Sequence, residues 1–258
     1  MPKILRALAA AILLGMLAVP AHAEPGIAAA SDLKFALDEI AGAWTRETGK
    51  RLRLTYGSSG NLRRQIAERA PFEIFLSADE SCVLALAREG RLEDDGVLYA
   101  VGRLVLFAPP GSPVNPDLGL EGLAALARTG ELARLAIANP AHAPYGRAAR
   151  QALESVGAWR TLESAGRLVL GENVSQAAQF ATSGNAPAGI FAHSLTFSPL
   201  VGGRGRFALI ADSAHEPLRQ RMALVKGAGD DARAFYRHLQ GPAARAVFAR
   251  YGFAPPLR

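Results

Sequence analysis

The sequence has little of what most enzyme and metal sites require. It contains a single cysteine, Cys82, so it cannot form an internal disulfide. Its five histidines are scattered without metal-ligand spacing, and no H-E-x-x-H, Walker A or G-x-S-x-G motif occurs. A loose G-x-G-x-x-A at 227–232 stands too near the C-terminus for a dinucleotide-binding unit. We therefore expect a protein that is not an enzyme and has no cofactor.

Long apolar runs are also missing, except at the N-terminus. Lys3 and Arg6 precede an apolar stretch over 7–19, and "AHA" at 21–23 is typical of a signal-peptidase site. The stretch is short for a membrane span, although an uncleaved anchor is the alternative. We predict a secretory signal over 1–23, cleaved near Ala23, and a periplasmic mature protein.

The charge balance is mildly basic and excludes little. Loss of residues 1–23 would lower the formal net charge from +6 to +4, because only Lys3 and Arg6 are charged there. The basic residues are dispersed, and no basic stripe alternates with aromatics. We expect no nucleic-acid partner.

Apolar periodicity alternates between strand and helix along the chain. Leu33, Leu37, Ile40 and Trp44 fall on one helical face, whereas "RLRLTY" at 51–56 alternates as a strand does. The same alternation continues to a final helix predicted over 231–250. This pattern predicts an α/β fold with mixed, mostly parallel sheets flanked by helices.

Two interruptions suggest two lobes. "APPGSP" at 108–113 breaks the series, and the extended run 218–226 comes late enough to return the chain to the first lobe. We predict lobe I over 24–106 and 223–258, lobe II over 107–222, and two hinge crossovers. A single doubly wound domain is the alternative.

Ser31 and Ser59 each stand where a strand passes into a helix. Helix starts leave backbone N–H groups unpaired and carry partial positive charge, so they bind anions. Adjacent parallel strands would bring both starts to one sheet edge. Capping alone would also explain each serine, and Asp32 and Asp79 are most simply helix-start acids.

Four segments carry a family resemblance: "AAASDLKFALDEIA" (28–41), "YGSSGNLRRQI" (56–66), "RAPFEIFLSAD" (69–79) and "GPAARAVFARYGF" (241–253). Together they resemble the periplasmic molybdate-binding proteins of ABC importers, through essentially the whole mature chain. The resemblance implies a two-lobed class II periplasmic-binding-protein fold. It also implies that a monomer closes around molybdate or tungstate and delivers it to a membrane-embedded ABC permease.

The resemblance also implies the site residues. Ser31 and Ser59 would contact the oxyanion from lobe I, and molybdenum would be held only through its oxygen atoms. From lobe II the resemblance implies Tyr145 of "NPAHAPYG" and the backbone N–H of Val174 in "GENVSQ". The chain departs from the family at Ala192, where many members have tyrosine. Tyr145 fits a subgroup that supplies this hydroxyl from its loop, or it is a surface aromatic.

Asp32 is the second departure. Its carboxylate would repel a dianion or accept a proton from hydrogenphosphate, so we expect the side chain to turn outward and leave its N–H for the ligand. A pocket of donors alone would disfavour a protonated phosphate, and sulfate would be rejected only by its size. Sulfate or phosphate remains the alternative ligand. A ferric site would need convergent tyrosines and carboxylates, but no two of the five tyrosines lie close in sequence.

Overall fold

The computed structural model describes residues 24–256. The predicted signal over 1–23 lies outside the described residues. Among those residues, no helix combines the length and apolar character needed to cross a bilayer. The described chain forms two five-stranded sheets, each flanked by helices.

The first sheet is built from both ends of the chain. Its strands are β1 (Gly26–Ala30), β2 (Arg53–Gly57), β3 (Ile74–Ser77), β4 (Val97–Gly102) and β10 (Leu218–Leu224), in the order β2-β1-β3-β10-β4. The helices around it are α1 (Lys34–Thr48), α2 (Ser59–Ala67), α3 (Glu80–Arg88), α8 (Asp230–Leu239) and α9 (Pro242–Arg250).

The second sheet has the same layout. Its strands are β5 (Leu104–Ala108), β6 (Leu135–Ala138), β7 (Leu168–Gly171), β8 (Gly189–Ala192) and β9 (Arg206–Leu209), in the order β7-β6-β8-β5-β9. The helices that belong to it are α4 (Gly119–Thr129), α5 (Pro144–Ser155), α6 (Ala158–Ser164) and α7 (Val174–Thr182).

Both sheets are mixed, with the parallel pairs on one side. In the first sheet β1 pairs in parallel with β2 and β3, and β10 pairs antiparallel with β3 and β4. In the second sheet β6 pairs in parallel with β7 and β8, and β5 pairs antiparallel with β8 and β9. Antiparallel pairing is thus as common as parallel pairing, because β5 and β10 follow the crossings between sheets.

The sheet membership bears on the lobe boundaries. The predicted boundary at 106/107 falls inside β5, and the boundary at 222/223 falls inside β10. All of β5 belongs to the second sheet and all of β10 to the first. The crossings therefore lie in the connections between Gly102 and Leu104 and between Leu209 and Leu218.

Burial explains why the strands near the centre of each sheet read as short apolar runs. Every residue of β1, β3, β5, β6 and β8 is buried, as expected for strands covered on both faces. Helix α1 buries Leu37, Ile40 and Trp44, and Leu33 is buried in the 3-10 turn before it, so the predicted apolar face is the core face.

One predicted helix is broken. The expected helix over 231–250 is two helices, α8 and α9, separated by Gln240 and Gly241. Pro242 occupies the first turn of α9, where its missing N–H costs nothing and its ring cannot continue the preceding helix.

Candidate functional site

A small cavity lies where the two sheets face each other. Its empty volume is about 180 Å³. Such a cavity suits one small molecule or ion. Both lobes contribute to its lining, which comprises Ala30, Ser31, Asp32, Gly57, Ser58, Ser59, Ala78, Ala143, Pro144, Tyr145 and Val174. All five residues predicted for the site are therefore brought together.

The two serines of the first lobe reach the cavity from neighbouring parallel strands. Ser31 follows β1 and begins a 3-10 turn, and Ser59 is the first residue of α2. The Oγ of Ser59 accepts the N–H of Ala78 at 3.0 Å, and the Oγ of Ser31 accepts the N–H of Ser175 at 3.4 Å. Because each oxygen accepts a backbone proton, each hydroxyl retains its own proton as a donor.

Neither serine caps its helix. The N-cap before the 3-10 turn is Ala30, and the N-cap of α2 is Ser58, whose side chain makes no capping bond. The capping interpretation therefore does not account for Ser31 or Ser59. It does account for Asp79, whose carboxylate accepts the N–H of Ser81 at 2.7 Å at the start of α3.

Two helix starts of the second lobe face the same cavity. Asn173 caps α7 through the N–H groups of Ser175 and Gln176, which leaves the N–H of Val174 without a partner among residues 24–256. Helix α5 begins with Pro144, which has no N–H, and its N-cap Ala143 provides no side-chain cap. In the described part of the chain, Val174 and Tyr145 thus each bring to the cavity lining a first-turn amide that no side chain satisfies.

The expectation that Asp32 turns outward is wrong. The residue is 1% exposed, and its side chain makes no cap bond. Its Oδ2 accepts hydrogen bonds from Nε2 of Gln220 at 2.6 Å and from the hydroxyl of Tyr145 at 3.0 Å. Two partners distant in sequence therefore hold the carboxyl group inward.

The same geometry gives the Tyr145 hydroxyl a partner other than a ligand. Tyr145 is 2% exposed, so it is not a surface aromatic. Its hydroxyl donates to Asp32 and accepts from Nε2 of Gln220 at 3.3 Å. The amide of Gln220 is itself oriented by Tyr99, whose hydroxyl donates to Oε1 at 2.7 Å.

Burial dominates the electrostatics of this network. Desolvation raises the pKa of Asp32 to about 6, and the hydrogen bonds from Gln220 and Tyr145 oppose that rise. Burial, with Asp32 nearby, raises the pKa of Tyr145 and Tyr99 well above the ordinary value, so both phenols stay neutral.

Hydrogen bonds across the cleft hold the lobes together around the cavity. The N–H of Gly60 donates to the carbonyl of His142 at 3.0 Å, and Nδ1 of His142 lies 2.9 Å from Oγ of Ser58. On the other side, Oγ of Ser175 donates to the carbonyl of Ser31 at 2.9 Å. His142 therefore lies in this contact between the lobes.

Basic side chains are absent from the lining of the cavity. Across residues 24–256, no group of three or more His, Cys, Asp or Glu side chains is arranged to hold a metal ion. A larger groove on the second lobe, with an empty volume of about 1270 Å³, is lined by Arg150, Trp159 and Leu170 among others, but it is open to solvent. We regard the small cavity as the functional site because both lobes aim unpaired donors into it.

Several contributing residues were not found from the sequence. Ser175, Ser194 and Gln220 tie Ser31 and Asp32 to the second lobe or to β10. Gln220 is fully buried and alternates with Arg219 and Arg221 in β10. The sequence signal that could have marked it is this alternation, which puts Gln220 on the same strand face as Leu218 and Met222.

Comparison with known proteins agrees with this architecture. The family model described as bacterial extracellular solute-binding protein matches residues 26–254. The chain belongs to the bacterial extracellular solute-binding proteins. This solute-binding protein is 37% identical to the molybdate-binding protein ModA of Rhodobacter capsulatus, over 98% of this chain and 97% of that one. It is 34% identical to the molybdate-binding protein ModA of Azotobacter vinelandii, over 93% of each chain.

A solved structure gives the same result. The solute-binding protein superposes on the periplasmic molybdate-binding protein of Azotobacter vinelandii with a TM-score of 0.82 and 28% identity, covering 91% of this chain and all of that one. The resemblance to the periplasmic molybdate-binding proteins and the class II periplasmic-binding-protein fold are therefore confirmed.

Proposed function

We propose that this protein captures molybdate or tungstate in the cavity between its lobes and delivers it to an ABC permease. Ser31 and Ser59 would donate through their hydroxyls, and Val174 through its N–H. Tyr145 would contribute its N–H from the first turn of α5, with its hydroxyl orienting Asp32 rather than binding the ligand. The molybdate-binding relatives support this choice among tetrahedral oxyanions.

One observation carries the proposal: unpaired donors of both lobes converge on a cavity without lysine or arginine. Helix starts attract anions through aligned N–H groups and the helix dipole, without a counter-charge. Because the donors lie on both lobes, the ligand would bind the closed arrangement more tightly than an open one. That difference in binding free energy sets how far the ligand favours closure.

Asp32 qualifies the expected selectivity. A lining of donors alone would leave the proton of hydrogenphosphate unpaired, at a cost of about 1–3 kcal/mol. The carboxylate of Asp32 adds an acceptor, so phosphate is disfavoured on this ground only while that carboxyl group is itself protonated. Sulfate differs from molybdate mainly in its shorter bonds, which would leave some donors of a rigid cage out of reach.

Calorimetric titration with molybdate, tungstate, sulfate and phosphate tests the proposal. We expect heat and tight binding with molybdate and tungstate, weak binding of sulfate, and little difference between the first two because their sizes are nearly equal. Tight binding of phosphate or sulfate without binding of molybdate would assign the protein to the alternative oxyanion class.

The wider role is part of the same proposal. A secretory signal over 1–23 would place the mature chain in the periplasm as a monomer, and the permease would be its membrane partner. The family transports solutes, and we propose no catalytic activity. Incubation with common ester and phosphoester substrates should give no turnover.

A further inference from the structure

The carboxyl group of Asp32 is only half satisfied. Its Oδ2 has two hydrogen-bond donors, Gln220 and Tyr145, whereas its Oδ1 is fully buried and has no partner in the described part of the chain. A buried carboxylate oxygen without a partner is costly. Asp32 also lines the cavity, and with Oδ2 occupied, Oδ1 is the oxygen left for a ligand.

Within residues 24–256, no positively charged side chain faces this carboxyl group. Tyr99 and Tyr145, on β4 and α5, are the titratable groups near it, and both are neutral phenols. On the 3-10 segment His193–Phe197, Ser194 donates to the Asp32 carbonyl at 2.7 Å. From the same segment the ring of His193 turns to the carbonyl of Gly252 at 3.4 Å.

The remaining neighbours are also neutral or turned away. The start of α7 presents Val174 and Ser175, which carry no charge, and β10 presents the amide of Gln220. On the segment of Asp32 itself, Lys34 is exposed and pairs with Asp38 at 3.0 Å. A dianion in the cavity would therefore stand beside an uncompensated carboxylate in a site with little water, where like charges repel strongly.

Protonation of the Asp32 carboxylate would remove this repulsion. The new Oδ1–H would also have a hydrogen-bond acceptor in the bound oxyanion. We infer that Asp32 is neutral in the loaded site and donates Oδ1–H to an oxygen of the bound oxyanion. Each dianion captured is then accompanied by one proton from solvent, and the loaded site keeps the charge of the dianion alone. The inference rests on the proposed function. It makes Asp32 a determinant of oxyanion specificity, because a protonated carboxyl group donates to a dianion and offers no acceptor at Oδ1 for the proton of hydrogenphosphate.

The surroundings of Asp32 by themselves favour its protonated form. Burial, opposed in part by the hydrogen bonds from Gln220 and Tyr145, raises the pKa of Asp32 to about 6, and a second negative charge would raise it further. Between the pKa of the free site and that of the loaded site, binding takes up a proton. The affinity should therefore fall by up to about tenfold for each unit of pH increase in that range.

Asn at position 32 offers an N–H donor that needs no proton. Asp32→Asn should therefore bind the oxyanion with an affinity that hardly changes with pH. Asp38→Asn is the matched control, since Asp38 is an exposed acid on the adjoining helix and lies outside the cavity lining.

The experiment is calorimetry with tungstate, which stays a dianion from neutral to mildly alkaline pH. Titrations at two pH values above the free pKa, each in two buffers with different heats of ionisation, give the number of protons taken up. We expect close to one proton for the wild type and for Asp38→Asn, and close to none for Asp32→Asn. Circular dichroism would verify that both variants fold.

Two results would overturn the inference. Wild-type binding without proton uptake would mean that Asp32 stays charged, and equal uptake by Asp32→Asn would assign the proton to another group. In both cases the oxyanion still binds, so the proposed function stands. Absence of heat with molybdate, tungstate, sulfate and phosphate would instead reject the proposed function and the inference with it.

Discussion

At the scale of single residues, the hydroxyl groups of Ser31 and Ser59 are oriented as donors, because the oxygen of each already accepts a hydrogen bond from a backbone N–H. Ser59→Ala removes one such donor and should weaken molybdate binding by about tenfold or more, as expected for a lost hydrogen bond to a charged group. Calorimetry measures the change. Ser81→Ala is the control, because Ser81 is an exposed serine at the start of a different helix. An unchanged affinity in Ser59→Ala would remove this hydroxyl from the site.

Asp32 should also make the stability of the ligand-free protein depend on pH. Burial raises its folded pKa to about 6 from 3.8, so the folded state binds a proton more readily than the unfolded state. Stability therefore rises as pH falls through that range. Relative to Asp32→Asn, the wild type should gain about 2 kcal/mol in unfolding free energy from about pH 7 to about pH 4.

Urea unfolding of both proteins across that pH range gives the comparison, with Asp38→Asn as an exposed control. If the difference in unfolding free energy between the wild type and Asp32→Asn stays constant with pH, the pKa of the buried carboxyl group is the same in the folded and unfolded states.

The position of Asp32 shows where residue-level prediction ends. Ser31, Ser59, Tyr145 and Val174 line one cavity. Periodicity located the helix starts at Ser31 and Ser59, whereas Tyr145 and Val174 came from the family resemblance, and contact of all four with an oxyanion stays a prediction. The sequence could not reveal the direction of the Asp32 side chain. That direction depends on Tyr145 and on Gln220, which are 113 and 188 positions away.

At the scale of elements, helix α7 shows how a cap can leave one amide free. Asn173 satisfies the second and third N–H groups of the helix and leaves that of Val174. Asn173→Ala should cost about 1 kcal/mol of unfolding free energy, as N-cap losses do. It should also weaken oxyanion binding, because the first turn loses its fixed geometry.

Chemical denaturation and calorimetry on the same sample separate the two effects of Asn173→Ala. The matched variant is Asn115→Ala, which removes a cap of similar type from the 3-10 turn Pro116–Leu118, away from the cavity. Equal loss of binding in both variants would mean that the effect is general destabilisation.

Elements with a strong apolar period were predictable, and weakly patterned ones were not. Strand β9 escaped prediction because it is a largely exposed edge strand with the sequence "RFAL". Strand β4 and helix α6 were also missed, and Gly241 with Pro242 split a helix that apolar periodicity alone had joined. Local breakers and edge positions therefore outweighed periodicity at these points.

At the scale of the whole molecule, closure of the lobes depends on a close backbone approach at Gly60. A Cβ atom there would lie 2.5 Å from the carbonyl oxygen of His142 on the other lobe. Within helix α2 itself alanine is the better helix former. Gly60→Ala should therefore leave unfolding free energy unchanged or higher while weakening oxyanion binding by about tenfold or more, an amount of binding energy corresponding to about 1.4 kcal/mol.

Calorimetry tests the affinity of Gly60→Ala, and small-angle scattering tests whether the ligand still compacts the molecule. Gly42→Ala is the control, since a Cβ there meets only the flexible end of Arg46 at 3.4 Å. Normal affinity and compaction in Gly60→Ala would mean that the lobes need not approach this closely. We propose the hinge at the two crossings, beside β5 and β10.

The N–H group of Val174 belongs to the main chain, and this has a consequence for mutational surveys. Replacing a side chain leaves the peptide hydrogen in place, so alanine scanning at position 174 would report only the loss of buried side-chain packing and would miss a role of the amide in binding. Relatives could likewise differ at that position without altering what they recognise.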